Sequence, residues 1–160
     1  MNRKDRLHLE AAEGWLELGN WNEANAELEE ITPEMRAHPD GLCVRFRVYE
    51  AAGRWEEASE LASTLCKLRP DQGLPCAYLA RAVNGLGNTQ GAIDFLVNAS
   101  RHFPMEPAIP YEIACYCCHL SQLKEAREWL KRAIEVSGTP EIKMRALLDE
   151  RLSPIWKDMD

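Results

Sequence analysis

The densest run of chemically capable side chains is Cys115-Tyr116-Cys117-Cys118-His119. On a helix, Cys115, Cys118 and His119 stand at i, i+3 and i+4 and share one face, and two thiolates with an imidazole form a zinc-compatible ligand set. A tetrahedral site needs a fourth ligand from another segment, for which Asn84 and His102 are the available side chains. No paired CxxC…CxxC framework accompanies them. Cys115 and His119, one turn apart, also make a Cys–His pair of the kind that activates a thiol nucleophile. Neither an orienting third group nor an oxyanion site goes with it, and a helix interior does not favour thiolate as a helix start does. Cysteine in helix packing behaves as a small hydrophobe, so the cluster is expected to line a core or groove, with no catalysis, no metal and no cofactor. Gly85-Leu86-Gly87 lacks the preceding strand and following lysine of a phosphate loop.

The elements that must carry these residues follow from bulk and periodicity. The chain has 160 residues, 46% of them apolar, enough to bury a sizeable core. Its 26 acidic and 19 basic side chains give a net charge of −7, which repels a phosphate backbone and makes nucleic acid a poor partner. The start, Met1-Asn2-Arg3-Lys4-Asp5-Arg6-Leu7, is basic but leads to no apolar leader region, His8, Glu10 and Glu13 interrupting it. It reads as an uncleaved cytoplasmic amino terminus. No apolar run approaches the roughly 20 residues that cross a bilayer, so no membrane segment is expected. In that setting the six cysteines, Cys43, Cys66, Cys76, Cys115, Cys117 and Cys118, are expected as free thiols.

Self-similarity at a fixed period decides the architecture. Gly19, Gly53 and Gly87 stand 34 residues apart, with Ser121 the next step, and Ala24, Ala58, Ala92 and Ala126 follow the same ladder. Further columns are uniformly apolar: Ala12, Phe46, Ala80, Ala114; Trp15, Tyr49, Val83, Cys117; Leu28, Ala62, Leu96, Leu130; and Ile31, Leu65, Ala99, Ala133. Pro70 and Pro104 close two of the units. In the second unit, Leu42, Phe46 and Tyr49 run at helical spacing to Gly53, after which Trp55, Ala58, Leu61, Ala62, Leu65 and Leu68 form a second stripe. Each unit is therefore a helical hairpin, its first helix ended by glycine and its second by proline. Four of the five tryptophans, Trp15, Trp21, Trp55 and Trp129, fall in or beside these columns, which makes packing their default role; Trp156 lies outside.

The period and the pattern carried by Tyr49-Glu50-Ala51-Ala52-Gly53-Arg54-Trp55-Glu56-Glu57-Ala58 and Leu123-Lys124-Glu125-Ala126 resemble the tetratricopeptide repeat. The resemblance implies an all-α, right-handed α-solenoid of four units, about residues 5–38, 39–72, 73–106 and 107–140, followed by a capping helix over about 140–153 and a short tail, 154–160. Three departures bear on boundaries. Unit one has His8 and Ala11 where a large residue is usual, its Thr32-Pro33-Glu34-Met35 ends the second helix early, and Ser121 replaces the fourth turn glycine. Thr139-Pro140-Glu141 opens the capping helix with a threonine cap, a first-turn proline and an acid at the dipole's positive end. Ile142, Ala146, Leu147 and Leu148 supply its apolar face, with Lys143, Arg145, Asp149, Glu150 and Arg151 outward. Ser153-Pro154 is expected to end it.

In this family the first helix of each hairpin lines a concave face. The resemblance places on that face Leu9, Glu13 and Leu16; Cys43, Arg47 and Glu50; Ala77, Arg81 and Asn84; and Tyr111, Cys115 and Cys118. The function it implies is a cytoplasmic protein-interaction scaffold that holds a peptide or protein segment in the groove. Arg47 and Arg81, 34 residues apart, can grip carboxylates, or be solvated or paired with Glu13 and Glu50. The family's chaperone-tail clamp is not carried: Leu9, Glu13, Cys43, Arg47, Ala108 and Glu112 stand where its basic and amide residues belong. Two alternatives are a chaperone for secreted substrates, for which four units are one too many, and a homo-oligomer. In the latter, a homodimer for example, Ile155, Trp156 and Met159 of one chain enter the groove of the next.

Overall fold

Four residues with left-handed backbone set the architecture. The computed structural model describes residues 1–158, and among them every regular element is helical. The α-helices are α1 (Arg3–Glu17), α2 (Trp21–Glu29), α3 (Pro33–Ala37), α4 (Pro39–Ala51), α5 (Trp55–Leu68), α6 (Leu74–Gly85), α7 (Thr89–His102), α8 (Ala108–His119), α9 (Leu123–Ser137) and α10 (Pro140–Leu148), and a terminal 3₁₀ segment covers Glu150–Asp158. Gly19, Gly53, Gly87 and Ser121 have φ of 74°, 67°, 90° and 59°. At each, the N–H of the left-handed residue donates to the carbonyl three residues back. The next N–H reaches five back: Asn20 to Trp15 at 2.8 Å, Arg54 to Tyr49 at 2.8 Å, Asn88 to Val83 at 3.2 Å and Gln122 to Cys117 at 2.8 Å. Carbonyls left open at the helix end are thereby satisfied and the chain reverses. Asn20 and Asn88 then cap the following helices, accepting from the N–H groups of Glu23 and Gly91.

The reversal pairs α1 with α2, α4 with α5, α6 with α7 and α8 with α9. The columns read from the sequence are the packed ones. Ala24, Ala58, Ala92 and Ala126 are fully buried, as are Ala12, Phe46, Ala80 and Ala114 and the larger Leu28, Leu65 and Leu96. A small residue on the second helix of each hairpin lets the two axes approach, since interaxial distance follows side-chain size at the contact.

The chain divides into two compact units, Met1–Pro70 and Asp71–Asp160, each with two hairpins. In the first, α1 packs on α2 and α4, and Leu9, Ala12, Leu28, Ile31, Met35, Val44 and Val48 form the core. As Thr32-Pro33 implies, α2 stops at Glu29; Thr32 caps α3, and Asp5 accepts hydrogen bonds from the Thr32 N–H (2.8 Å), the Thr32 hydroxyl (2.9 Å) and Asn2 Nδ2 (2.8 Å). In the second, α8 is buried along Ile109–Cys118 and is covered by α6, α7, α9 and the terminal 3₁₀ segment. A helix apolar on every side is stable only when covered on every side.

The carboxy-terminal region departs from expectation. Thr139 and Pro140 do open a helix, but α10 ends at Leu148, and Asp149 takes an extended conformation (φ −87°, ψ 104°). The chain then runs as 3₁₀ through Ser153 and Pro154 instead of ending there. Leu147 and Leu148 point outward, Leu148 at 83% exposure, while Leu152 and Ile155 are buried. The break at Asp149 rotates the following residues by a different angle per residue, so the stripe extrapolated from α10 lands on the wrong side chains. Trp156 is half-buried, its Nε1 donating to the Ala146 carbonyl at 2.8 Å. Ile155 and Trp156 therefore pack within their own unit rather than standing free, and Met159 lies outside the described residues. Among the described residues no helix is long and apolar enough to cross a membrane.

Two glycines give opposite expectations. A Cβ at Gly41 would lie 2.1 Å from the Met35 carbonyl oxygen, whereas one at Gly14, on the exposed side of α1, meets nothing within 4 Å. Gly41→Ala is expected to lower stability by about 2 kcal/mol through overpacking. Gly14→Ala is expected to raise it by up to ~1 kcal/mol through helix propensity. Urea denaturation of the two variants checks both signs.

Candidate functional site

The first helices of the hairpins position the residues assigned to a ligand face, and the structure sorts them into two groups. Exposed or half-exposed are Glu13 and Leu16 on α1, Cys43, Arg47 and Glu50 on α4, and Arg81 and Asn84 on α6. Buried are Leu9, Ala77, Tyr111, Cys115 and Cys118, the most exposed being Leu9 at 7%. These five cannot present a surface to a ligand in this conformation. Leu9 packs in the first unit's core with Ala12 and Leu28; Ala77 is sealed on α6 of the second; the three α8 residues lie under the carboxy-terminal segment.

In the first unit, α1 and α4 lie side by side, and Arg47 Nη1 donates to Glu13 Oε1 at 3.1 Å across one repeat of 34 residues. Both side chains remain open, 36% and 49% exposed, so the pair contributes about 0–1 kcal/mol. The pairing with Glu13 read from the sequence is thus formed. Arg81, in the second unit, has its guanidinium 5.8 Å from the Tyr78 ring centroid, and Asn84 accepts from the Thr89 hydroxyl at 2.8 Å.

In the second unit the geometry of α8 was not foreseen. Glu112, 3% exposed, accepts from Arg151 Nη1 at 3.0 Å. Arg151 also donates through Nη2 to Asp149 Oδ2 (2.7 Å) and through Nε to Asp149 Oδ1 (3.0 Å), and Asp149 Oδ2 accepts from the Tyr111 hydroxyl at 2.9 Å. Asp149 thus faces inward, against the outward assignment, while Arg151 stays 44% exposed as assigned and reaches Glu112 from the surface. Burial alone would raise the Asp149 carboxyl, but the Arg151 bonds and charge outweigh it and hold it below the ordinary carboxylate range. Burial first, then the Asp149 bond, pushes the Tyr111 phenol up. Tyr116 is pushed up by burial, by the Glu112 charge and by the approach of its hydroxyl to the Glu112 carboxylate, although the buried hydroxyl forms no well-aligned hydrogen bond. The one sequence clue to the network was Glu112 itself, a lone acid in an otherwise apolar helix.

Asn84, Cys115, Tyr116, Cys118 and His119 line one cavity of about 200 Å³ with Arg151 and its neighbours. Of the side chains considered for zinc, Cys115, Cys118, His119 and Asn84 thus border one cavity, whereas His102 lines another. Among the described residues, however, no three His, Cys, Asp or Glu side chains are grouped so as to hold a metal ion. The thiols are also poorly disposed to react: burial, then the Glu112 charge, pushes Cys115 up, and burial pushes Cys117 up to about 11.

No protein-family model matches the chain, and no curated protein matches it. Solved structures do. A TPR protein of Thermus thermophilus, TTC0263, matches with a TM-score of 0.74 and 22% identity over 97% of this chain and 82% of that one. MamA from Desulfovibrio magneticus matches with a TM-score of 0.60 and 17% identity over 99% of this chain and 90% of that one. The TPR-like repeats of a Podosopora anserina kinesin light chain match with a TM-score of 0.60 and 21% identity, over 98% of this chain and 88% of that one. The fold is that of a tetratricopeptide-repeat protein. This places the chain, by fold, among the all-α helical-repeat solenoids. Within the tetratricopeptide hairpins, the left-handed residues at 19, 53, 87 and 121 and the buried alanine ladder are the features through which so remote a sequence keeps the fold.

Arg151→Ala leaves the Glu112 carboxylate buried without the cation bonded to it and should cost about 2–4 kcal/mol, the upper part of the buried-pair range being out of reach because Arg151 is 44% exposed. Arg47→Ala should cost under ~1 kcal/mol; chemical denaturation of both variants separates the two figures. Because Tyr111, Tyr116, Cys115 and Cys117 all titrate higher folded than unfolded, their contribution is complete below the unfolded thiol value of about 8.5 and falls as pH rises above it. Tm should therefore decline between about pH 8.5 and 11, less steeply in Cys117→Ala, as followed by circular dichroism.

Proposed function

We propose that the protein is a cytoplasmic interaction scaffold that holds a segment of a partner polypeptide against the first helices of its hairpins, without catalysis and without a cofactor. The observation that carries this reading is the pair Arg47–Glu13. An arginine fork is held at the surface, between neighbouring first helices, by a contact weak enough to be exchanged for a partner's carboxylate. Leu16, Cys43 and Glu50 extend the surface beside it in the first unit, and in the second unit Arg81 and Asn84 stand on the first helix of a hairpin of their own. The ligand it fits is a segment with one or two acidic residues among apolar ones. The net charge of −7 argues against nucleic acid. Self-assembly through the carboxy terminus is the weaker reading, because Ile155 and Trp156 already have a place in their own chain.

The test is affinity capture from native extract with the wild-type chain and the Arg47→Ala/Arg81→Ala variant, analysed by mass spectrometry. A protein retained by wild type and depleted with the variant is the expected result. Equal recoveries on both baits would overturn the role given to the two arginines. A wild-type chain that sediments as a dimer and captures only itself would transfer the weight to self-assembly.

A further inference from the structure

The face of α8 that the repeat pattern assigns to a ligand is not empty in this chain. Tyr111, Cys115 and Cys118 lie under residues 149–156, the one non-α element among the described residues that packs on α8. The crossing segment reads Asp149-Glu150-Arg151-Leu152-Ser153-Pro154-Ile155-Trp156. Its acid accepts from the Tyr111 hydroxyl, its arginine donates to Glu112, and its Leu152 and Ile155 are fully buried against the second unit's core. A carboxylate, a guanidinium and two apolar anchors, each matched to a complementary group, are what an extended peptide presents to a helical groove.

The segment is also built unlike the hairpins it covers. It begins at an extended residue directly after Leu148, which is 83% exposed, so side-chain packing does not pin the chain at that point. It continues as 3₁₀ over nine residues with Pro154 inside, a length well past the usual 3–4 residues of that poorly bonded helix. Its inner edge borders the cavity of about 200 Å³ lined by Asn84, Cys115, Tyr116, Cys118 and His119. A second cavity, of about 480 Å³, lies along Leu130, Ile134 and Ile155, so packing between the segment and its unit is incomplete at two places.

We propose that residues 149–156 are a tethered ligand of the α8 face. The partner this face takes is then a polypeptide segment of the same chemistry: an acid, an arginine two residues on, and apolar residues in the places of Leu152 and Ile155. The inference rests on the scaffold reading above, and it adds that access to α8 is regulated by the chain's own end. An incoming segment must supply an arginine, because Glu112 is buried and cannot give up one guanidinium without receiving another.

The test uses the full chain and a fluorescein-labelled peptide of residues 147–158. Leu152→Asp/Ile155→Asp forces the tethered copy out while leaving every α8 residue intact. That variant is expected to bind the peptide at least about tenfold more tightly than wild type, where the tethered copy competes at high effective concentration. A peptide carrying Arg151→Ala should lose the binding. A variant that melts cooperatively and binds neither peptide would overturn the proposal, and equal binding of both peptides would overturn the arginine's role. Should the variant not fold, hydrogen exchange of the wild-type chain decides. Amides of 150–157 exchanging ahead of those of α8 and α9 support a releasable segment, and exchange of all of them together refutes it. None of these outcomes depends on Arg47 or Arg81, so failure here leaves the capture experiment above to be judged separately.

Discussion

The structure depends first on a backbone constraint met four times. After each of α1, α4, α6 and α8, one residue takes positive φ, and the following N–H closes a bond to a carbonyl five residues back. Three of the four positions are glycine, which occupies that region without penalty; Ser121 carries a Cβ there at a cost of about 1–2 kcal/mol. That the fourth turn keeps the same two hydrogen bonds despite the penalty shows what opposes it. The α8–α9 hairpin buries ten consecutive residues of α8 and the Ala126, Leu130 and Ala133 face of α9, and this burial far outweighs one strained residue. Every other register in the repeat follows from the turn, because a 34-residue step places the same column of each hairpin at the same contact.

A second constraint comes from charge. Glu112 sits on a helix with no exposed side, where an unpaired carboxylate is not tolerated. A cation bonded to it comes from beyond the last hairpin, at Arg151, which Asp149 orients through three bonds of its own, the third from the Arg151 N–H. The need of one buried acid therefore helps to fix the path of the carboxy terminus, and with it the burial of Leu152 and Ile155. An ordinary terminal helix would cover α8 as well; it would not account for the bond from Arg151 to the acid.

The repeat itself was legible because the information is local and redundant: glycine at the turn, alanine five residues later, and apolar columns that agree in four copies. Boundaries that rest on one copy were harder. Thr32-Pro33 did announce the early end of α2, since a cap and a first-turn proline act within one turn. The outward assignment of Asp149 failed because helical arithmetic presumes an unbroken helix, and the break at Asp149 has no glycine or proline beside it to signal it. The face assignments failed for a related reason. Leu9, Ala77, Tyr111, Cys115 and Cys118 hold the registers expected of them, but what covers a register depends on the neighbouring element, and the element over α8 was read as lying elsewhere. Glu112 was the available clue; an acid between Tyr111 and Ile113 in an apolar helix asks for a cation, and the sequence alone does not say which.

The same acid–arginine chemistry appears at two depths, and depth decides what each can exchange. Glu13 and Arg47 face solvent on both sides, so water or a partner's carboxylate can replace Glu13 at little cost. Glu112 is 4% exposed at its side chain and Arg151 44%. Water can reach the arginine but cannot stand in for it, because the acid it bonds is buried and would lose that partner. On the two proposals above, the α4 surface would take segments that bring an acid, whereas the α8 surface would yield only to a segment that adds an arginine and apolar anchors to its acid. The arginine would then be what separates the two, since Arg47 repels it and Glu112 requires it.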